Sequence, residues 1–476
     1  MGIYAKPLAR RDFLRGSLAA AALAATGTLG ACATSGTGTS SQTSSAPPAG
    51  QVSDTNPFGV ESGSTVEAVI FKGGYGIDYA EFAGKQVEAK QSGVTVKVTP
   101  VTKVAQSLQP RFVAGNPPDV IDNSGAGLIG VNTIRDQLAE LNDVIEAKNY
   151  EGTVIKDTLY QGVTEPGTFD GKFIVLNYAL SVFAIWYSAS LFEQNGWTVP
   201  KTYDEMLALG EEAKGKGKYL LGWGKEAATY YQTLAISSAI KEGGDEVRLA
   251  LDNLKPGCWS LPPIQDVFNG LKKIIDAGYM KPGGSGTVFT AAQAQWSEAE
   301  EFILYPSGSW IENEMKDQTK SGFKMTGAPE PTVTSNSKLP WEALHSTAGE
   351  GYIVPSQGKN VAGGKEFLRA MLSKDAAVNF AKTKLASTIV KGTVPPDGFG
   401  STALQSQIQM LEAAGSNVFS WTVLNPADLY GMNTDQLVVW NSFLSGDADV
   451  AKLTKGLQDI TDKVAKDDSI KKVQVS

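Results

Sequence analysis

Residues 169–217 read FDGKFIVLNYALSVFAIWYSASLFEQNGWTVPKTYDEMLALGEEAKGKG, the most organised stretch of the chain. FIVLNYALSVFAIWY is long and apolar, with Asn177 inside it and Trp186-Tyr187 at its end, and it predicts a first crossing of the chain between two lobes. Pro200, Thr202 and Glu205 then set a capping residue three positions before an acid, and Met206, Leu207 and Leu209 supply the apolar face of a helix. Gly215 and Gly217 end that helix before the apolar run YLLGW.

Upstream, TVEAVIF at Thr65–Phe71, DYAEFAGKQVEAK, GVTVKVTPV and VAQSLQPRFVAGNPPDVI alternate short β-branched runs with stretches of spaced apolar residues, which predicts strands alternating with helices. An α/β architecture follows. Asn116-Pro117-Pro118 cannot continue a helix and delivers the chain into DVI, a buried strand. Downstream, Ile264, Val267, Phe268, Leu271, Ile274 and Ile275 recur at helical spacing. EFILYPSGSWIENEMK reads as a strand turning at Pro306-Ser307-Gly308 into a helix, and GYIVP at Gly351–Pro355 as another short strand. VAGGKEFLRAMLSKDAAVNFAK carries two helical patterns interrupted near Ser373. From Thr402 to Lys472 helical patterns alternate with NPADLYG and FLSGDAD, with no solenoid or propeller period.

The 476 residues are 42% hydrophobic and 19% charged, with 51 Gly and 22 Pro: room for two or three compact lobes, and neither a coiled coil nor a highly charged disordered chain. A net charge of -8 works against a broad electrostatic footprint for nucleic acid or anionic lipid. Lys6, Arg10, Arg11 and Arg15 lie before residue 32 against one acid, Asp12, so the chain beyond them holds 38 bases and 49 acids, a net of -11. This basic start runs into an uncharged, Ala-rich Gly16–Ala31, the pattern of an export signal and too short and weakly apolar for a permanent span. RRDFLR at Arg10–Arg15 resembles a twin-arginine export motif, with an ordinary secretory signal as the competing route; LGAC at Leu29–Cys32 resembles a bacterial lipobox. The two resemblances imply a signal of residues 1–31, cleavage, and lipidation of Cys32. Residues 32–60, small and polar with Pro, read as a flexible tether. Two cysteines, Cys32 and Cys258, do not make a disulfide scaffold in so long a chain, and Cys258 reads as a buried or half-buried free thiol.

Export signal, LGAC, WYSASLFEQNGWTVPKTYDEMLAL, FNGLKKIIDAG, YPSGSWIENE and AGEGYIVPSQGKNVAGGKEFLRAML together resemble an extracytoplasmic sugar-binding lipoprotein of a bacterial ABC transporter. More narrowly, they resemble the N-acetylglucosamine and diacetylchitobiose binders of actinomycetes. The resemblance implies a periplasmic-binding-protein-like α/β fold: two discontinuous lobes joined by crossovers, with ligand enclosed in the cleft. Carried onto this chain, it implies one lobe of 61–175 plus 347–400 and another of 176–346 plus 401–476. A few crossover residues then absorb hinge motion while each lobe moves nearly rigidly.

Neutral sugars present hydroxyls and patches of C–H, so the candidate residues combine aromatic rings with polar groups. Trp310, after a Gly-containing turn, suits stacking and ordinary packing alike, whereas Glu312 and Glu314 read as the solvated face of the following helix. Trp341 and Glu342 precede the second crossing, the one for ring contact and the other for hydrogen bonding. Trp223 follows YLLG, Tyr187 ends the first crossing beside a core-like Trp186, and Trp259 suits burial between surface elements. Tyr75 lies in the early loop FKGGYG, whose glycine spacing is no nucleotide fingerprint. Asp122, Asn123 and Ser124 sit at a strand end, where they suit hydroxyl binding or an ordinary turn.

His345, the one histidine, without clustered cysteines, leaves metal catalysis unsupported and suits a satisfied hydrogen bond in the crossover or a pocket-edge contact. The resemblance thus implies noncatalytic capture of N-acetylglucosamine or diacetylchitobiose at the outer face of the cytoplasmic membrane and delivery to ABC permease subunits. It implies no cofactor, and ATP hydrolysis by a separate subunit, with which the absence of GxxxxGK[ST] is consistent. Two other expectations stand beside this one. A secreted glycoside hydrolase needs two carboxylates at the right separation, for which the Glu298, Glu300 and Glu301 cluster is no warrant. A surface carbohydrate-adhesion lipoprotein fits export and tether equally well.

Overall fold

The computed structural model describes residues 50–73, 75–125, 128–421, 430–470 and 472–475; the expected signal, Cys32, the first part of the tether and most of NPADLYG lie outside them. Strand β1 (Thr65–Phe71) pairs in parallel with β2 (Thr95–Val101) from Thr65↔Thr95 to Phe71↔Val101, and on its other edge with β3 (Val120–Asp122). The helix Asp78–Lys90 makes the β1-to-β2 crossover, and its buried Tyr79, Ala80, Ala83, Gly84 and Val87 recur at the spacing that puts one stripe on the sheet. Helix Val104–Val113 stops before Pro117-Pro118, as those prolines dictate, and β3 follows.

A short hairpin, β4 (Thr168–Phe169) and β5 (Lys172–Phe173), turns through Asp170 and Gly171 in left-handed conformation. Strand β6 (Leu176–Ser188) comes next. Its even-numbered residues Leu176, Tyr178, Leu180, Val182, Ala184 and Trp186 all enter one core cluster, joined from the other face by Ala179.

The expected helix spans Tyr203–Gly215. Thr202 Oγ1 accepts the Glu205 N–H, and the Glu205 carboxylate reaches back to the N–H of Lys201, one residue before the cap. Then come β7 (Tyr219–Leu221), β8 (Phe302–Gly308), β9 (Met325–Ala328), β10 (Leu344–Ile353) and β11 (Val418–Phe419). β10 begins seven residues before the expected GYIVP strand.

Among the described residues these strands form one sheet, in the order β2-β1-β3-β10-β6-β8-β7, with β9 also on β6 and β11 on β10. β6 changes partner along its length: Leu176–Val182 pairs antiparallel with β10, and Phe183–Tyr187 with β8. β10 in turn pairs with β3 through Tyr352↔Asp122. β6 and β10 are therefore the strands that join the β1–β3 side to the β7–β8 side, and the fold is a two-lobed α/β fold.

Helices Val361–Met371 and Lys374–Lys384, parted at Ser373 whose hydroxyl caps the second, return to the first side. Gly364 shows how closely: a Cβ there would lie 2.2 Å from the Asp119 carbonyl oxygen. Gly364→Ala is expected to lose about 1–3 kcal/mol, from forcing the helix off the start of β3. Urea denaturation measures it, and wild-type stability would refute this packing.

Candidate functional site between the lobes

Where β3 ends beside β10, Asp122 is fully buried. Ser124 Oγ donates to its Oδ1 at 2.5 Å and Tyr79 Oη to its Oδ2 at 3.3 Å, while the Tyr79 and Tyr352 hydroxyls are 2.6 Å apart. The Gly351 N–H donates to Ser124 Oγ at 2.9 Å, tying this group to β10. Beside it Glu350 holds a φ of 55°, a left-handed conformation that for a non-glycine residue costs about 1–3 kcal/mol. Burial and the neighbouring Glu350 charge push the Asp122 carboxyl well above its ordinary range, and burial raises Glu350 too. Asn123, expected as a ligand contact, has its amide taken up locally: Nδ2 donates to the Ile129 carbonyl and Oδ1 accepts the Ile129 N–H, both at 2.8 Å.

Tyr75 packs on Phe380 with ring centres 5.1 Å apart, and the charges acting on it are Glu350 and Glu314. Tyr75 follows β1 and Glu314 follows β8, on opposite sides of the β10–β6 pair in the sheet order. Glu314 is not merely a solvated helix face, since it accepts from Gln293 Nε2 at 2.8 Å, and Glu312 is held by the Ser401 hydroxyl at 2.7 and 2.6 Å. Trp310 is half-buried, edge-on to Phe183 at 5.3 Å and 6.1 Å from Tyr230. A Cβ on Gly308 would lie 2.0 Å from its ring, so that glycine sets the ring's position. His345 is stacked between Phe183 at 4.4 Å and Trp421 at 3.5 Å, and burial depresses its pKa well below the usual value. Its Nδ1 has no partner among the described residues.

The other expected contacts lie elsewhere in the second lobe. Trp223 is a core side chain, its indole N–H donating to Asn441 Oδ1 at 3.1 Å and its ring covering Gly284. Tyr187 packs on Phe192 at 4.6 Å. Trp341 lies under Lys201, whose Nζ is 4.6 Å from the ring centre, and its carbonyl accepts from the fully buried Lys241 at 3.0 Å. Glu342 adds its charge to that same lysine. Trp186 and Trp259 are buried, as expected; Trp186 Nε1 donates to the Ser307 carbonyl and Trp259 Nε1 to Thr461. Cys258 is buried, and burial pushes its thiol up to about 12. Glu300 pairs with Lys320 at 2.7 Å.

Sequence reasoning missed Glu350, Tyr79, Tyr352, Tyr230, Phe183 and Trp421. A concavity of about 670 Å³ lined by Phe112, Val113, Gln137 and Gln357 among others shares no residue with this group. Its lining has one aromatic ring and no charged group, so the chemistry favours the interlobe group over that hollow.

A fold of two lobes meeting across paired strands, with rings and carboxylates brought together between them, is that of a solute-capture protein. Residues 83–403 match the family described as bacterial extracellular solute-binding protein, and the chain belongs to that family. It is 57% identical over 476 residues, the whole of both chains, to the diacetylchitobiose binding protein NgcE of Streptomyces coelicolor. Among solved structures it is similar to apo RafE from Streptococcus pneumoniae, with a TM-score of 0.66 at 19% identity over 85% of this chain and 99% of that one. A chitin oligosaccharide binding protein gives a TM-score of 0.63 at 17% identity over 82% and 95%.

The chain is therefore a noncatalytic, extracytoplasmic capture protein that serves an ABC sugar transporter, rather than a glycoside hydrolase. Among the described residues no helix is long and apolar enough to cross a membrane.

The raised Asp122 pKa gives a signed prediction. An acid raised in the folded state stabilises the fold fully below its unfolded pKa, near 4, and loses that contribution as pH rises through the folded value. Asp122→Asn, which imitates the neutral acid, should gain stability relative to wild type between about pH 5 and pH 8. Melting both proteins across that range measures it, and a pH-independent difference would refute it.

Proposed function

We propose that the captured solute is N-acetylglucosamine or its β-linked dimer, diacetylchitobiose. The observation that carries this reading is the full-length 57% identity to a diacetylchitobiose binding protein. The geometry is consistent with it: Tyr75 on one lobe, Trp310 and Tyr230 on the other, and the carboxylates of Glu314 and Glu350 suit the C–H faces and hydroxyls of a pyranose.

The lobes comprise 61–175 plus 347–400 and 176–346 plus 401–476, hinged on β6 and β10. An open form binds sugar, closes, and presents the closed complex to the permease, while a separate subunit hydrolyses ATP. The chain is exported by a twin-arginine or ordinary secretory signal and held by a lipid on Cys32 at the outer face of the cytoplasmic membrane.

Calorimetry on residues 50–476 with N-acetylglucosamine, diacetylchitobiose, maltose and cellobiose, together with a search for products, tests the ligand. Selective, product-free binding of the acetylated sugars is expected; absence of binding to either would reject the assignment. Trp310→Ala is expected to weaken binding more than about tenfold with folding preserved, and Trp341→Ala to leave it within about twofold. The reverse ranking would move the platform to Trp341. For the anchor, Cys32→Ala should release the protein from the membrane fraction into the medium, whereas retention on the membrane would dismiss lipidation at that residue.

A further inference from the structure

Gln293 Oε1, Trp296 Nε1, Ser297 Oγ and Tyr305 Oη are buried and have no hydrogen-bond partner among the described residues. Each such orphan costs about 1–3 kcal/mol, so several in one place mark a spot where something outside the chain supplies partners. Their juxtaposition follows from periodicity. Gln293, Trp296 and Ser297, at i, i+3 and i+4, share one face of the helix Phe289–Ser297. Tyr305 lies on β8. The helix face meets it, since the Trp296 and Tyr305 rings stack at 5.7 Å with 25° between their planes.

The niche adjoins the interlobe group. The half-buried Tyr230 bridges them, its ring 6.3 Å from Tyr305 and 6.1 Å from Trp310. Gln293 links them a second time. Its Nε2 donates to Glu314, the carboxylate whose charge reaches Tyr75 on the first lobe. A carboxylate only accepts, so this bond fixes the amide with Nε2 toward Glu314 and leaves Oε1 unpartnered among the buried hydroxyls.

We infer that this niche receives the acetamido group of the sugar, an assignment that rests on the ligand proposed above. An acetamido group needs a donor for its carbonyl, an acceptor for its N–H and apolar surface for its methyl. The niche offers the Trp296 indole N–H and the hydroxyls of Ser297 and Tyr305 as donors, Gln293 Oε1 as acceptor, and the rings of Trp296 and Tyr305 as apolar walls. A 2-hydroxyl sugar fills none of the apolar part, and a 2-ammonium sugar brings donors where donors already predominate.

The test is calorimetry on wild type, Ser297→Ala and Tyr305→Phe with diacetylchitobiose and with its fully deacetylated counterpart. Each variant deletes one orphan hydroxyl, so thermal stability should hold or rise. Affinity for the acetylated dimer should nevertheless fall roughly ten- to a hundredfold, and the preference over the deacetylated dimer should shrink by the same factor. Wild-type affinity in both variants, with wild type itself binding the acetylated dimer, overturns the niche and leaves the ligand assignment standing. A wild-type protein that does not bind the acetylated dimer overturns both. In a crystal of the complex, acetamido density between Tyr305 and Gln293 supports the assignment, and ordered water alone at that place refutes it.

Discussion

The antiparallel pairing of β6 with β10, running from Leu176↔Tyr352 to Val182↔Ser346, is the constraint on which the molecule depends. Each strand belongs to both halves of the sheet, so any relative movement of the lobes has to be absorbed where the strands change partners. Glu350 lies in the β10 segment that pairs with β6, with its backbone in the left-handed region, and its charge acts on the buried Asp122 carboxyl. Backbone strain and carboxylate repulsion therefore meet at one residue of β10.

The second lobe prepares its side of the cleft by a different device. Lys241 and Glu330 are both buried, and burial draws each toward its neutral form while their mutual attraction resists this. The lysine ammonium also donates to the carbonyls of Glu330 and Trp341, tying the segment that leads into β10 to the helix Tyr230–Gly243. The start of the hinge strand is thereby fixed to a rigid helix, and Tyr230 at the other end of that helix faces Trp310. One helix thus positions both a hinge strand and a ring of the cleft.

Much of the architecture is legible in the sequence because it rests on local rules. Thr202 and Glu205 mark a helix start, Pro117-Pro118 mark an ending, and the long apolar run FIVLNYALSVFAIWY marks the crossing that β6 makes. The Glu205 carboxylate departs only in reaching Lys201 instead of the cap residue. The site is less legible, because its chemistry comes from pairings across long separations. Trp223 looks free to face a cleft until Asn441, more than two hundred residues later, takes its indole N–H. Asn123 looks available until Ile129 takes both ends of its amide. Glu350 gives no local sign of its role, since its left-handed backbone and its carboxylate neighbour are both products of how β3 and β10 meet. Tyr75 and Trp310 are local cases, since glycine-containing turns precede both and such turns put rings at the ends of strands.

Cys258 carries a practical consequence. Beyond Cys32 it is the one remaining cysteine; it is 2% exposed, its Sγ faces Gln458 at 3.6 Å, and burial holds it as the thiol. Maleimide chemistry requires an accessible thiolate, so the body of this protein is silent toward such dyes without any substitution. Cysteines introduced one on each lobe would then take a donor and an acceptor fluorophore against a clean background. The distance between the lobes becomes an optical signal, read molecule by molecule as sugar arrives and leaves.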